Sequence, residues 1–442
     1  MKHALTSRIA LGIVGAVLAL AAYVAWDNWG DGLRSASPDA ANNPPHPVSV
    51  ERGQYLARAG NCVACHTARG GTEMAGGRRI ETPFGSVFSS NLTPDPTTGI
   101  GQWSRDDFWR ALHHGRSKDG RLLSPAFPYN HTSVISRQDS DDLLAWLHSL
   151  PAVRQAQQPH TLVWPVGTPV ALAVWRTLFF KPSPFQADPR QSAEWNRGAY
   201  LVQGLGHCAA CHSPRNALGA SGPVSDLSGG LMPVVNWYAP DLGNDRETGL
   251  ASTPLPEIVR LLKTGTSATA QTSGPMAEVV QHGTQHMSDA DLQAMAVYLQ
   301  SQAQQTQSRQ AQEPPKARRS SVSPNVAEWG LKTYERHCAQ CHGEQGQGIT
   351  TEAGNVAYPA LASNRAVQLR DPTNLVQMVL YGGYSPSTAG HPRPFGMPPF
   401  VLELDDKDIA AVLTHLRTQW GNQGEERSEE RRVGKECLRL CR

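Results

Sequence analysis

The chain has 442 residues, enough for about three domains of ordinary size. Its 40 Lys and Arg nearly balance its 38 Asp and Glu, and no basic stripe with interleaved aromatics occurs, which argues against a nucleic-acid partner. With 40 glycines and 33 prolines, much of the chain is expected to be loop.

At the N-terminus, Lys2 and Arg8 precede an uncharged, mostly apolar run from Ile9 to Trp26, and Asp27 and Asp31 follow it. Positive charge before the run and acid after it direct the rest of the chain out of the cytoplasm. The run is near the lower limit for spanning a bilayer and somewhat long for a signal-peptide core, and no clean small-x-small cleavage site follows at once. Residues 1–30 therefore read as a signal-anchor retained through residues 9–26, in preference to a cleaved signal peptide.

Beyond the leader the chain spells Cys-x-x-Cys-His three times, at Cys62, Cys65 and His66, at Cys208, Cys211 and His212, and at Cys338, Cys341 and His342. Two thiols at this spacing reach both vinyl groups of one porphyrin, and the adjoining histidine becomes the proximal ligand of its iron. A Cys-x-x-Cys pair can also be half of a zinc site or a redox dithiol. Three copies, each with histidine in the same place, favour three covalently bound c-type haems and one-electron traffic.

The surroundings of the motifs repeat as well. Arg52-Gly-Gln-Tyr-Leu56 precedes the first, Arg197-Gly-Ala-Tyr-Leu201 the second, and Gly330 with Tyr334 stands in the same relation to the third. Asn91-Leu-Thr-Pro-Asp95 with Thr98-Gly99-Ile100 matches Asp241-Leu-Gly-Asn-Asp245 with Thr248-Gly249-Leu250, so the first two domains read as duplicates. A helical phrase ending in glycine then recurs at 107–115, 257–265 and 374–382. Each domain closes with an amphipathic helix, carried by Leu143, Leu144, Leu147 and Leu150, by Leu292, Met295, Ala296 and Leu299 after the cap Ser288, and by Ile409, Val412, Leu413 and Leu416.

The order of helix, haem motif, helix, ligand loop and helix is the cytochrome c plan. The expected fold is all-α, with three tandem cytochrome c-like haem domains over 48–152, 189–302 and 325–420 behind an N-terminal membrane anchor. The linker 153–188 is apolar, either a packing strap or a surface that docks on a partner or the membrane. The linker 303–324 reads as a flexible, solvated tether. The segment 421–442 is an atypical charged tail whose Cys437 and Cys441 lack the haem spacing.

The distal ligands set what each haem does. Met397, in Gly396-Met397-Pro-Pro-Phe400, is the expected sixth ligand of the third haem, and Met276, in Gly274-Pro-Met276-Ala277, that of the second, with Met287 and His282 as competitors. Methionine opposite histidine raises the potential. The corresponding loop of the first domain carries Phe127, which cannot coordinate iron. His131, four residues on, is the tentative ligand there, ahead of His113 and His114; otherwise the first iron is five-coordinate.

The chain resembles the triheme cytochrome c subunits of bacterial membrane-bound dehydrogenases, from about Val50 to Trp420. The resemblance is carried by Tyr55-Leu56, Thr82-Pro-Phe-Gly85, Ser90-Asn-Leu-Thr-Pro-Asp95, Pro125-Ala-Phe-Pro-Tyr129, Val235-Asn-Trp-Tyr-Ala-Pro-Asp241, Gly274-Pro-Met-Ala-Glu-Val-Val280 and Gly396-Met-Pro-Pro-Phe400. It implies a subunit on the periplasmic side of the inner membrane. Such a subunit takes electrons from a flavin, molybdenum or quinoprotein dehydrogenase and passes them to ubiquinone or a terminal oxidase. In the cytochromes serving alcohol dehydrogenases methionine commonly stands where Phe127 stands here, so the likeness leans to flavin or molybdenum partners. No paired carboxylates, nucleophile with base or nucleotide-binding glycine loop occurs outside the repeats, and no catalytic residue is assigned. Two other classes stay open: a peroxidase-like haem enzyme at an open first iron, and a self-standing redox carrier.

Overall fold

The computed structural model describes residues 2–30, 47–310 and 322–424, with 353 and 355 excepted; the tail from 425 on, with Cys437 and Cys441, lies outside the described residues. The described residues are mostly helical. They also form one three-stranded and three two-stranded antiparallel sheets, so all-α holds only as mostly helical. The two-stranded sheets are local fold-backs, whereas the three-stranded one adds Thr161–Leu162 from the distant apolar segment to the hairpin of Arg79–Thr82 and Gly85–Phe88. The described residues form two compact units, one within Met1–Ala57 and Cys65–Gln186, the other of Arg58–Ala64 and the described residues from Ala187 on.

The first unit begins with the helix Lys2–Trp29, whose stretch Leu11–Trp29 has 19 residues and a mean hydropathy of 1.5, long and apolar enough to cross a membrane. An entry helix, Val50–Ala59, crosses a closing helix, Arg137–Ser149. Gly53 sits at the crossing, where a Cβ would come within 2.0 Å of the Asp142 carbonyl oxygen. Beside it Arg52 pairs with Asp139 and, at 3.1 Å, with Asp142.

The same crossing recurs twice in the second unit. Helix Ala193–Gln203 meets Asp289–Gln310 with Gly198 against Ala294, and helix Pro324–His337 meets Asp406–Thr418 with Gly330 against Ala411, at 2.0 and 2.3 Å from the respective carbonyl oxygens to a notional Cβ. Arg197 pairs with Asp291 at 2.8 Å, and in the third copy the Trp329 indole N–H donates to Asp408 at 2.8 Å from the equivalent place. Glycine is thus the residue that lets two helix backbones touch, and the repeated Arg-Gly of the first two copies is a crossing signature.

The middle helices, Arg105–His114, Leu255–Thr264 and Thr373–Tyr381, each stop at a glycine of positive φ, Gly115, Gly265 and Gly382. The third core gathers Tyr334, Val376, Val379, Val412, Leu413 and Leu416, all buried; each such aliphatic side chain contributes roughly 1.5–3 kcal/mol. Helix Asp289–Gln310 runs on past the boundary read at 302. Within the second unit, Tyr238 and Asn374 exchange two hydrogen bonds of 2.8 Å, and the Arg365 amide donates to the Thr269 carbonyl at 2.8 Å, so the regions around the second and third motifs pack against each other.

The apolar segment 153–188 contains a helix, Pro169–Phe179, capped by the Thr168 hydroxyl and begun by Pro169. Its inner side holds the end of the N-terminal helix: the Asn28 amide donates to the Ala173 carbonyl at 3.0 Å and to the Thr177 hydroxyl at 2.9 Å, and buried Arg176 donates to the Asn28 side-chain oxygen at 2.9 Å. Arg176 also lies 5.0 Å over the Tyr129 ring and 4.9 Å over that of Phe180.

Candidate functional site

Each Cys-x-x-Cys-His motif lies on a single helical turn, Cys62–His66, Ala209–His212 and Ala339–His342, which brings both cysteines and the histidine to one place. None of these six cysteines is in a disulfide. Burial, reinforced by Cys211, pushes the Cys208 thiol up to about 12, and burial, reinforced by Cys341, pushes Cys338 up to about 11.

A backbone latch holds each turn. The histidine Nδ1–H donates to a main-chain carbonyl, that of Ser90 at 2.8 Å for His66, of Pro240 at 2.8 Å for His212 and of Pro359 at 2.9 Å for His342. Each histidine carbonyl in turn accepts, at 2.8 Å, from the amide of Gly76, Gly229 or Gly348. A third bond ties the two sides: the amides of Leu92, Leu242 and Leu361 donate to the carbonyls of Met74, Leu227 and Gly346 at 2.8, 2.9 and 2.7 Å. All three glycines have positive φ, and a Cβ on any of them would strike backbone within 2.6 Å.

The latch fixes the imidazole tautomer. With Nδ1 carrying the hydrogen, Nε2 keeps its lone pair, the arrangement a metal-bound histidine needs. Burial also pushes all three rings below their usual pKa, against the smaller opposing effect of the carbonyl bonds, so the neutral form is favoured. Among the described residues no group of three or more His, Cys, Asp or Glu side chains is placed to hold a metal ion, which counts against the zinc alternative.

The distal candidates come from different local structures. Met276, half-buried, is the second residue of helix Pro275–His282. Gly274 just before it has φ 53°, and a Cβ there would lie 2.6 Å from the Trp237 ring. Trp237 opens the strand Trp237–Ala239, which leads directly to Pro240, the carbonyl partner of His212. One strand therefore braces both His212 and the loop of Met276. Met397 ends the strand Gly396–Met397, pairs with Gly383 and packs against the third core. Of the competitors, Met287 is fully buried and His282 ends its helix.

Hydrogen-bond register shows what replaces methionine in the first domain. The amide of Leu123 donates to the carbonyl of the helix-ending Gly115, as that of Thr272 does to Gly265, both at 2.8 Å. Four residues beyond these anchors stand Phe127 and Met276. His131 is buried in the short helix Tyr129–Thr132. His113 is committed elsewhere: its ring stacks on Trp109 and its Nε2–H donates to the Ile135 carbonyl at 2.8 Å. His114 lies beside it at the end of helix Arg105–His114.

The sequence profile described as Cytochrome c matches residues 50–151, 196–303 and 327–420. The chain belongs to the cytochrome c family. Its matched regions each contain one latch, and cytochrome c domains carry covalently bound c-type haem. The residues present fit that group: two thiols and a neutral imidazole on one turn, with the ring already oriented. Three relatives are cytochrome subunits of dehydrogenases. The chain is 37% identical to the gluconate 2-dehydrogenase cytochrome c subunit of Pantoea cypripedii, covering 86% of this chain and 88% of that one. It is 38% identical to the cytochrome c subunit of the quinone alcohol dehydrogenase of Gluconacetobacter polyoxogenes, over 85% and 81%. The fructose dehydrogenase cytochrome subunit of Gluconobacter japonicus is 33% identical, over 89% and 84%. The resemblance read from the motifs is thereby borne out: the chain has cytochrome c domains, and its relatives are cytochrome subunits of dehydrogenases, which is consistent with an electron-transfer subunit.

The latch carbonyls and glycines were not singled out in the sequence. A carbonyl has no side-chain signature, and the loops that deliver it differ in length. The one trace is a leucine two residues after each carbonyl, Leu92, Leu242 and Leu361.

Proposed function

We propose that this cytochrome is a triheme relay, with domains 48–152, 189–302 and 325–420 each holding one c-type haem. It takes electrons from a periplasmic dehydrogenase of the flavin, molybdenum or quinoprotein type and hands them to ubiquinone or a terminal oxidase. Cys62 and Cys65, Cys208 and Cys211, and Cys338 and Cys341 hold the porphyrins, with His66, His212 and His342 as proximal ligands. Met276 and Met397 are the distal ligands of the second and third haems, and His131 that of the first. Residues 9–26 anchor the chain on the periplasmic side of the inner membrane.

The observation that carries this reading is the threefold latch, because the same tautomer-fixing hydrogen bond recurs on three histidines in three different loops. When bound, each haem supplies a one-electron ferric/ferrous couple. The chain's own residues set the couple: the carbonyls of Ser90, Pro240 and Pro359 orient the proximal rings, and the thioether or imidazole opposite tunes the potential. The name of the Pantoea relative supports a dehydrogenase partner of the gluconate-oxidising class. The test is a count of covalent haem per chain by mass and alkaline pyridine spectrum, with a redox titration and co-purification from the native membrane. Three haems, three couples and a co-purifying dehydrogenase subunit are expected; two haems, or isolation without any such subunit, would refute the relay.

A second reading rests on Phe127 standing in the slot of Met276. With no ligand opposite His66, the first iron would be open and peroxidase-like. A high-spin ferric component that shifts on adding cyanide is its signature; three low-spin haems exclude it.

A further inference from the structure

We propose that the helix Pro169–Phe179 lies in the outer leaflet of the membrane crossed by the N-terminal helix, as a second, interfacial attachment of the first domain. The inference rests on the anchor reading above and adds to it. Three observations carry it. First, Asn28, one residue from the end of the span Leu11–Trp29, is buried and bonded to Ala173, Thr177 and Arg176, so the short helix is fixed at the depth where the span leaves the bilayer. Second, the side turned away from Asn28 is apolar: Val170 and Leu178 are 73% and 63% exposed, Val174 is 42%, and the only charged residue of the helix, Arg176, is buried inward.

Third, exposed tryptophans stand at the end of the span and ahead of the short helix. Trp26 and Trp29 are exposed at the span's end, and Trp164, ahead of the helix, is 86% exposed. Tryptophan placed in this way suits the headgroup level, where an amphipathic ring has one apolar and one wet side. A soluble domain gains nothing by showing valine, valine and leucine on one helix stripe. A bilayer already present at that height covers them, in the manner of interfacial helices that sink about 5–10 Å into the leaflet.

The experiment uses the full haem-loaded chain carrying C437S/C441S, reconstituted in vesicles of phosphatidylethanolamine and phosphatidylglycerol. A nitroxide label is placed in turn at Val174→Cys, at Leu18→Cys in the span and at Glu344→Cys, an exposed site of the third domain. Collision with dissolved oxygen is compared with collision with a water-soluble nickel chelate. The ratio at 174 is expected to exceed that at 344 by about threefold or more, as for a leaflet-buried site. A water-like ratio at 174 with a lipid-like ratio at 18 overturns this inference and leaves the anchor intact. A water-like ratio at 18 overturns both. A label at 174 shielded from oxygen and nickel alike means that a protein surface covers the face, and overturns the inference too. Haem spectra identical to the parent's verify folding of each variant.

Discussion

Gly198 lies directly against Ala294, so that a Cβ on the glycine would fall 2.0 Å from the alanine carbonyl oxygen. The contact fixes the angle and separation of the entry and closing helices of the second domain, with the Arg197–Asp291 pair beside it. The atom in the way is backbone, so no rotamer change relieves the clash. Gly198→Ala is expected to cost about 3 kcal/mol, the upper range for forced overpacking, and to lower the melting temperature of the second unit. Differential scanning calorimetry checks this; an unchanged transition would mean that the helices separate freely.

Gly229 reads the same way at the haem latch. Its φ is 75° and a Cβ would lie 2.6 Å from the Asp241 amide nitrogen. Gly229→Ala combines left-handed strain with a backbone clash and is expected to cost roughly 2–4 kcal/mol. It also loosens the carbonyl that the Gly229 amide holds on His212. The measurement is haem per chain together with a denaturant titration followed at the haem band; stable protein with full haem content would show that the latch is dispensable.

Phe127→Met restores at the first domain the residue found at the equivalent register in the second. A third methionine-ligated haem is expected, with the first couple raised relative to the parent protein because a thioether favours ferrous iron. Spectroelectrochemistry follows it. His131→Leu is the companion variant: if His131 ligates, the parent loses one low-spin haem, whereas Phe127→Met with His131→Leu retains three.

His113 gives a pH signature. Burial, its largest cause, pushes the ring down to about 3, while a hydrogen bond to the Ile135 carbonyl works weakly in the other direction. The folded state therefore holds His113 neutral while the unfolded chain binds a proton below about 6.5. Its contribution to stability is fully present above that value and is lost progressively as pH falls from about 6.5 towards 3. Urea midpoints of the parent should fall more steeply over that window than those of His113→Asn; equal slopes would show that the ring is not the titrating group.

Much of this protein was legible before any fold was seen. The three Cys-x-x-Cys-His motifs declared covalent haem because their chemistry is local: two thiols and a ligand fit one helical turn whatever surrounds it. Arg52-Gly53 and Arg197-Gly198 stood out as a repeat ahead of the first two motifs, and the glycine-ended phrases marked three helices, because helix periods and stops are properties of short windows. Asn28 and Arg176, by contrast, carried no signal of each other across the chain, and nothing in the apolar segment 153–188 announced that it would hold the end of the N-terminal helix.

What the sequence by itself determined was the pattern: three Cys-x-x-Cys-His motifs of the kind that hold haem, the repeats around them, and Phe127 where the second repeat has Met276. What only the tertiary structure decided was the set of main-chain carbonyls that hold His66, His212 and His342, and the close approach that makes Gly53, Gly198 and Gly330 glycine. The reason is physical. Covalent attachment and helix periodicity are written in side chains close in sequence, whereas a carbonyl acceptor or a helix crossing is a property of backbone from two distant segments, identical for every residue type until folding places it.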